Sequence, residues 1–357
     1  MDSYRLDGHK LYWHLDRVLA WQRGELVPPI YVEISPVAYC NHDCIFCGKE
    51  PAKRNNIRLN PEVMRERIKE MGRWGVRSVM FAGEGEPLLH PDLPSLVRET
   101  KEAGIDVALT TNGSLHNSSL WKEILPRLSW VKFSIDAGTA PVYSRVHRVP
   151  ETQFDRTLAN VEEAVKLKAQ EGLEVAVGAQ FLVVRENLDD LENAVGLLSQ
   201  LGLDYLVFKP YSLHPHMAQE RDVLYTREIV DRIQSLVDLH RDRSPTELIF
   251  RRDSMDRYRE REKRYSHCYS LPFWGYLSST GDFYTCGIFL GNERFKAGNI
   301  YRQAVPDILF GESRRRSIEF AARDLPVARE CNLNCRMARV NEFLQHLRDK
   351  PGHINFI

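Results

Sequence analysis

Short apolar segments alternate with amphipathic segments over the first two-thirds of the chain. The β-branched and aromatic runs predict six strands, at IYVEIS (30–35), SVMFAG (78–83), DVALTT (106–111), WVKFSID (130–136), EVAVGAQFLVV (174–184) and YLVFKP (205–210). Between them, apolar residues recur every three or four positions, which predicts helices near 60–73, 92–104, 118–127, 155–169 and 187–201. Such alternation is typical of parallel strands joined by right-handed crossovers. It predicts an α/β fold with a partial (β/α)6 TIM-like barrel, whose ligand face lies at the carboxyl ends of the strands.

The pattern changes after residue 212. Residues 221–241 predict one long helix, and the charged segment 251–264 predicts a solvated helical face. A β-hairpin is predicted at 273–286, with Gly281 in its turn, and a last helix at 336–348. We therefore expect an N-terminal extension (1–29), the barrel (30–220), a helical connector (221–265) and a small α+β domain with a β-hairpin (266–357).

Charge and composition limit the class of protein. The 357 residues carry 49 Lys and Arg against 49 Asp and Glu, whereas a general nucleic-acid-binding protein would show a basic excess. An apolar run of about 18 residues, as a membrane-spanning helix needs, is missing from the sequence. The N-terminus lacks the apolar stretch of a signal peptide. We expect a soluble, cytoplasmic protein without a nucleic-acid or membrane partner.

The seven cysteines fall into two groups. The first cysteine group, Cys40, Cys44 and Cys47, is a C-x3-C-x2-C motif directly after the first predicted strand. Three thiolates this close in sequence can ligate three corners of a cubane iron–sulfur cluster, which leaves the fourth iron open. Zinc is the competing interpretation, but a structural zinc site needs four ligands, and His42 could serve only with distortion.

The first cysteine group, with the aromatic Phe46 before its last member, resembles the cluster-binding motif of the radical S-adenosylmethionine (radical SAM) superfamily. The resemblance covers residues 30–212. It implies a [4Fe-4S] cluster whose open iron chelates SAM, and an electron from that cluster that cleaves SAM to a 5′-deoxyadenosyl radical.

The same resemblance suggests which residues contact SAM. Gly83-Glu84-Gly85-Glu86-Pro87 is similar to the family's GGEP motif, which holds the methionyl ammonium, although Glu84 replaces its first glycine. Lys132, Ser134 and Asp136 alternate with apolar residues, so we expect them to face the barrel interior. Arg148 resembles the arginine that pairs with the SAM carboxylate, with Arg145 as its rival. The expected SAM-contacting residues are Phe46, Gly85, Glu86, Thr111, Asn112, Ser134, Arg148 and Gln180.

The second cysteine group comprises Cys268, Cys286, Cys331 and Cys335. With the predicted hairpin, it resembles the twitch domain, a short form of the SPASM extension of radical SAM enzymes. That resemblance implies one auxiliary [4Fe-4S] cluster with every iron ligated, and therefore a role in electron transfer. A zinc site with four cysteines is the alternative.

With all seven cysteines assigned as ligands, none remains as a hydrogen donor of the kind that redox-neutral epimerases often use. We therefore expect oxidation of a substrate alcohol, with an electron passed to the auxiliary cluster and an external donor such as flavodoxin or ferredoxin. The candidate bases are Glu33, Lys209, Tyr211, His214 and His216.

The C-terminal segment from Cys335 resembles radical SAM proteins of carbohydrate and aminocyclitol pathways, including antibiotic biosynthesis, so a small-molecule substrate of that kind is expected. Decarboxylation, dehydration and epimerisation of a sugar stay open. So does modification of a ribosomal peptide, although the thirty or so residues before the first strand are few for a peptide-recognition domain. The alternative from another class is a non-enzymatic zinc-binding scaffold.

Overall fold

The structure, a computed structural model, describes residues 8–48, 56–115, 118–212, 225–241, 243–350 and 352–355. Ten strands in these ranges form one sheet in the order β10-β9-β8-β1-β2-β3-β4-β5-β6-β7. The strands are β1 (Tyr31–Ile34), β2 (Ser78–Phe81), β3 (Asp106–Thr111), β4 (Leu128–Ser134), β5 (Ala176–Val183), β6 (Tyr205–Pro210), β7 (Glu247–Phe250), β8 (Trp274–Leu277), β9 (Asp282–Tyr284) and β10 (Lys296–Asn299).

Helices connect the strands and cover the outer side of the sheet. They are α1 (Leu15–Gln22), α2 (Pro61–Arg73), α3 (Leu93–Glu102), α4 (Ser118–Ile124), α5 (Ala140–His147), α6 (Thr152–Glu171), α7 (Leu191–Leu198), α8 (Arg227–Arg241), α9 (Arg252–Glu260), α10 (Val305–Leu309), α11 (Glu312–Arg323), α12 (Val327–Glu330) and α13 (Ala338–Asp349). In the described ranges, no helix has both the length and the apolar character needed to cross a bilayer.

The prediction of an α/β fold with a partial barrel is confirmed. Strands β1 to β7 are parallel, and the curved sheet stays open between β7 and the hairpin end. The sheet is larger than six units, because two parallel strands lie outside the predicted six. β7 falls inside the segment expected to be a helical connector, where its four residues are followed directly by the charged helix α9. β8 pairs parallel with β1, from Tyr31 opposite Trp274 to Ile34 opposite Leu277.

The predicted hairpin therefore takes part both in the parallel barrel sheet and in an antiparallel ladder. β8 extends the barrel sheet next to β1, and it pairs antiparallel with β9, which in turn pairs with β10. Gly281 lies in the turn between β8 and β9 with a φ of 82°, a left-handed conformation that a glycine adopts without steric cost. The turn therefore places residues 278–281 against the barrel.

The two faces of the sheet differ in chemistry. Toward the helices, Val131, Phe133 and their neighbours on the adjacent strands form the main apolar core. The opposite, concave face carries small clusters, including Tyr205 with Val207, and polar side chains between them. Because side chains alternate along each strand, Lys132 and Ser134 of β4 lie on this concave face, as the sequence pattern predicts.

Arg314 of α11 joins three separate segments. Its side chain is fully buried, and it donates to the carbonyls of Val27 (2.9 Å), Leu309 (2.7 Å) and Pro272 (2.8 Å). Burial lowers the pKa of its guanidinium to about 9. The segment before β1, the segment before β8 and the end of α10 are thus held by one side chain.

Candidate active site

The first cysteine group lies in the loop that leaves the carboxyl end of β1. All three thiols are partly exposed. The loop is fixed by its own backbone against the end of α5, because the N–H groups of Asp43 and Ile45 donate to the carbonyls of His147 and Val146. The Cys47 N–H donates to the carbonyl of Cys44. These bonds orient three thiols at the end of the barrel where the ligand face was expected.

Two histidines surround Cys44. The Cys44 Sγ lies 3.0 Å from Nδ1 of His147, whose Nε2 lies 2.8 Å from the Ile135 carbonyl oxygen. His42 packs against His147, with ring centroids 5.4 Å apart, and Phe46 meets the same ring edge-on at 6.0 Å. The buried imidazole of His147 is therefore the side chain that links the cysteine loop to the end of β4.

The loop after β2 packs directly on the cysteine loop. A Cβ on Gly85 would lie 2.1 Å from the carbonyl oxygen of Tyr39, so only glycine permits this approach. Glu86 is buried, and both of its carboxylate oxygens are engaged within the protein. Oε1 accepts from the Thr111 hydroxyl (2.6 Å) and the Leu88 N–H (3.0 Å), and Oε2 accepts from the Asn112 N–H (2.8 Å). Burial raises the pKa of Glu86, against these hydrogen bonds.

Glu86 thus holds the ends of β2 and β3 together. Asn112, which binds Glu86 through its N–H, in turn contacts the cysteine loop through its side chain. The Asn112 amide donates to the Asn41 side chain at 2.8 Å and lies 3.8 Å from the Cys40 sulfur. The hydrogen bonds among Glu86, Thr111 and Asn112 therefore help to fix the position of the cysteine loop.

Glu84, which replaces a glycine of the common motif, points toward the C-terminal hairpin. Its buried carboxylate accepts from both the N–H (3.1 Å) and the hydroxyl of Ser279, in the turn between β8 and β9. The Tyr276 hydroxyl lies 3.5 Å from its other oxygen. This residue joins the loop after β2 to the C-terminal half of the chain.

Ser134 and Gln180 meet on the concave face, where the Gln180 amide donates to the Ser134 hydroxyl at 2.9 Å. Asp136 has a φ of 54° and is fully buried; one of its oxygens accepts from the Leu182 N–H at 2.6 Å. Its other oxygen lies 3.6 Å from Nε2 of His147, and burial raises the pKa of its carboxyl to about 7.

The two candidate arginines lie outside this region. Arg148 follows α5 with a φ of 51° and pairs at 3.3 Å with Asp43, both side chains being more than half exposed. Arg145 donates to the Glu186 carbonyl at 2.7 Å. Arg148 therefore contacts the outer side of the cysteine loop in this structure.

Glu33 and Lys209 lie on the concave face, on β1 and β6. Glu33 accepts from the Arg336 guanidinium at 2.6 Å, and the Tyr31 hydroxyl is 3.4 Å away. The pKa of the Lys209 ammonium is lowered to about 8, mainly by burial and also by the charges of Arg336 and Arg251. Lys132 on β4 has a pKa well below its usual value for the same primary reason.

Tyr211 follows β6 and packs between Tyr225 and Tyr258, with ring centroids 6.4 and 6.0 Å away. Its carbonyl accepts from the Asn334 side chain, in the segment between Cys331 and Cys335. The other two candidate bases, His214 and His216, lie outside the described residues.

The second cysteine group comes together in the C-terminal half of the chain. Cys268 and Cys286 are buried in one apolar cluster, against which Cys331 packs. Burial and the nearby Cys331 raise the pKa of Cys268 to about 11 and also raise that of Cys286. A hydrogen bond from Cys335 lowers the pKa of Cys331, with a further contribution from Lys263, while the same contact and burial raise the pKa of Cys335. A bound metal centre would stabilise the thiolates of the three cysteines whose pKa is raised.

Polar groups also reach the sulfurs of this group. The Asn341 amide lies 3.8 Å and the Ser270 hydroxyl 3.6 Å from the Cys268 sulfur. Hydrogen bonds to sulfur are among the factors that set the potential of an iron–sulfur cluster.

Sulfur spacing separates the two metal interpretations. A tetrahedral zinc ion with Zn–S bonds of about 2.3 Å would hold its sulfurs about 3.8 Å apart. Across the described ranges, a single set of three ligand atoms lies within 4.8 Å of one another, and it is His42, Cys44 and His147. In neither cysteine group do three sulfurs, among the described residues, lie within 4.8 Å of one another.

The predicted site did not include four residues of this region. They are His147, Ser279, Arg336 and Leu182, whose N–H binds Asp136. His147 stands between the two arginines that were considered, and its end-of-helix position next to a buried strand was the available signal. Arg336 directly follows Cys335, but nothing in the local sequence indicates that it reaches Glu33 on β1.

Comparisons with known proteins agree with this geometry. The model of the "Radical SAM superfamily" matches residues 34–198. A curated relative, "Probable GTP 3′,8-cyclase" of Sulfurisphaera tokodaii, is 30% identical over 193 residues, which are 54% of this chain and 58% of that protein. The protein of the same name from Saccharolobus islandicus is 30% identical over 201 residues, 55% of this chain and 62% of that protein. The chain thus spans about three-fifths of these relatives' length.

Solved structures match over nearly the whole chain. Streptococcus suis SuiB bound to S-adenosylmethionine superimposes with a TM-score of 0.66 at 17% identity, covering 96% of this chain and 80% of that chain. The protein anSMEcpe with bound AdoMet gives a TM-score of 0.60 at 15% identity, covering 90% and 99%. At these identities the likeness shows the fold, including the C-terminal half. The matched family model, together with the cysteine loop at the end of β1, shows that residues 34–198 are a radical SAM domain.

Proposed function

We propose that this chain is a radical SAM oxidoreductase that oxidises an alcohol of a small molecule, a sugar or aminocyclitol of carbohydrate or antibiotic biosynthesis. The observation that carries the proposal is the pair of cysteine groups. Three partly exposed thiols lie at the ligand end of a radical SAM domain, and four clustered thiols lie in the C-terminal part of the chain.

The first cysteine group would hold a [4Fe-4S] cluster and SAM, and the second an auxiliary [4Fe-4S] cluster. When bound, the first centre supplies an organic radical that takes a hydrogen atom from carbon, and the second supplies an electron acceptor. Around the first centre we propose SAM contacts from the predicted set Phe46, Gly85, Glu86, Thr111, Asn112, Ser134, Arg148 and Gln180. Within that set, Glu86, Thr111 and Asn112 contribute by fixing the loops, since their polar groups bind one another.

Lys209 is our choice for the base among Glu33, Lys209, Tyr211, His214 and His216. It faces the concave side of the barrel, and its pKa of about 8 leaves roughly a tenth of the amine unprotonated at pH 7, against well under a hundredth for an ordinary lysine. Glu33 is engaged by Arg336 at 2.6 Å. Loss of a hydrogen atom from carbon, of the hydroxyl proton to Lys209 and of one electron together convert the alcohol to a carbonyl.

Other reactions begin with the same hydrogen abstraction. A decarboxylase, a dehydratase or an epimerase acting on a sugar would need no electron acceptor, so the second cysteine group favours oxidation over them. The names of the curated relatives suggest cyclisation of a nucleotide, and structures of similar fold are described as bound to peptides. A zinc-binding scaffold would bind two zinc ions and lack SAM affinity.

The test is metal and sulfide analysis with SAM cleavage, on protein reconstituted anaerobically with iron and sulfide and then reduced by dithionite. Two clusters predict about eight irons per chain, together with 5′-deoxyadenosine. About four irons with cleavage would contradict the auxiliary cluster, and zinc without cleavage would support the scaffold. Flavodoxin or ferredoxin replaces dithionite in a second assay of the electron donor.

Two cysteine variants distinguish the two centres. Cys44→Ala should abolish SAM cleavage, because the first cluster loses a ligand. Cys286→Ala should retain some 5′-deoxyadenosine formation but no turnover of substrate. Equal loss of both activities in Cys286→Ala, with normal thermal unfolding, would contradict an electron-accepting role for the second group.

A further inference from the structure

An unpaired ammonium group lies on the concave face of the barrel. Lys132 of β4 stands in register with Gly178 of β5, and Gly178 stands in register with Tyr205 of β6. A Cβ on Gly178 would lie 2.3 Å from the Tyr205 ring, so this ring covers the glycine. The Lys132 Nζ also lies 5.5 Å from the centre of the Trp130 ring. Lys132 therefore lies beside the Trp130 ring, and the Tyr205 ring covers the position next to it on β5.

Positive charge exceeds negative charge around Lys132. The charged groups close enough to interact with it are the cations Lys209, Arg251 and Arg336 and the carboxylates of Glu33 and Asp136. Arg251 continues β7 and donates its N–H to the Phe208 carbonyl, beside Lys209. The concave face therefore has an excess of cations.

Neither nearby carboxylate neutralises Lys132. Glu33 is bound by Arg336 at 2.6 Å, and Asp136 accepts from a backbone N–H at 2.6 Å. Within the part of the chain that the structure describes, the Lys132 ammonium makes no hydrogen bond and no ion pair. Without a partner, such an amine tends to lose its proton, and a bound anion would supply the opposite charge that keeps it protonated.

We propose that Lys132 binds an oxyanion of the substrate, which is therefore a carboxylate or a phosphate ester. This inference rests on the proposed function and narrows its substrate class to anionic small molecules. The rings of Trp130 and Tyr205 provide apolar surfaces for the uncharged part of such a molecule.

The position of Lys132 separates this oxyanion from the carboxylate of SAM. The cysteine loop, the loop after β2 and Asn112 all lie at the carboxyl ends of the strands. Lys132 precedes Ser134, the last residue of β4, by two positions, which is about 7 Å along the strand. The hydrogen bond between Ser134 and Gln180 lies between the two levels.

The experiment is anaerobic isothermal titration calorimetry on the two-cluster enzyme with SAM bound. The probes are matched trios of a neutral polyol, its phosphate ester and its carboxylate: glucose, glucose 6-phosphate and glucuronate, and the corresponding ribose and inositol compounds. An anionic member should bind at least about 10-fold more tightly than its neutral counterpart. Whether the phosphates or the carboxylates bind identifies the source of the oxyanion.

Substitutions at Lys132 then test the residue itself. Lys132→Met should weaken binding of that anion about 10- to 100-fold, and Lys132→Arg should retain most of the affinity. Lys69→Met, on the exposed face of α2, is the matched control and should change nothing. Iron content and thermal unfolding of each variant show that the fold is intact.

Three results would overturn the inference: no anion binding by the parent enzyme, equal affinity of Lys132→Met for the anion, or a loss of SAM affinity in that variant. The last result would assign Lys132 to the SAM carboxylate. The proposed function fails separately, since it requires 5′-deoxyadenosine from the parent enzyme with SAM and dithionite alone.

Discussion

The contact between Glu84 and Ser279 is expected to couple the SAM-binding end of the barrel to the C-terminal hairpin. The perturbation is a double-mutant cycle of Glu84→Ala, Ser279→Ala and the two together. Glu84 is 5% exposed and Ser279 is 1% exposed, so water cannot replace the contacts that are lost. Glu84→Gln is the conservative control, because its amide oxygen, in the place of Oε2, can still accept from the N–H and the hydroxyl of Ser279.

The magnitudes follow from the hydrogen bonds. The carboxylate accepts from the Ser279 N–H and from its hydroxyl, and each buried group left without a partner costs about 1–3 kcal/mol. We expect Glu84→Ala to lower the free energy of unfolding by about 2–4 kcal/mol, because both donors lose their acceptor. Ser279→Ala removes one donor and should cost about 1–2 kcal/mol. The double variant should fall short of the sum by about 1–2 kcal/mol.

The assay is urea unfolding under anaerobic conditions, followed by circular dichroism and by tryptophan fluorescence. Coincident transitions from the two probes are required before free energies are compared. The cycle is repeated with Lys69→Ala in place of Ser279→Ala, and that pair should be additive within about 0.5 kcal/mol. Additivity of Glu84→Ala with Ser279→Ala would refute the reasoning, since the two groups would then not stabilise each other.

Three further outcomes are expected. Arg314→Met should lower the free energy of unfolding by about 3–5 kcal/mol, because three buried carbonyls lose their donor; an unchanged urea midpoint would contradict this. Gly85→Ala should reduce iron incorporation, because its Cβ meets a backbone oxygen of the cysteine loop, whereas Gly196→Ala, with no atom nearby, should incorporate iron normally. Lys209 should react with acetic anhydride with a pH midpoint near 8, because burial favours its uncharged form; mass spectrometry of its peptide measures the midpoint, and a value at the ordinary lysine pKa of about 10.4 would contradict the lowered pKa.

The sequence predicted the alternating strands and helices of the barrel. Strands β1 to β6 lie where the apolar runs predicted them, because each is long enough to show alternation or a continuous buried run. β7 was missed because its four residues lie between a helix and a dense run of charges. The pairing of β8 with β1 joins residues more than 240 positions apart, and no local pattern carries that information.

In the candidate site too, the features that depend on local sequence could be predicted, and those that depend on tertiary packing could not. The cysteine motif follows from spacing, so the sequence predicted it, and the alternation in β4 predicted which side Lys132 would face. Partners that depend on tertiary packing could not be predicted. Glu84 looked like a departure from a glycine motif until the structure showed the hairpin that it binds. Glu33 looked available as a base until Arg336 appeared against it.

The parallel pairing of β8 with β1 has a consequence for biosynthesis. A ribosome releases the chain from its N-terminus, at about 5–20 residues per second. β1 therefore cannot pair with β8 until residue 277 has been synthesised. Until then, the hydrogen-bonding groups along one edge of β1 have no partner strand. The nascent chain would pass through a stage in which the first cysteine loop exists while the strand that carries it is only half supported. Efficient production would therefore favour delayed metal delivery, or a chaperone that shields this edge until translation ends.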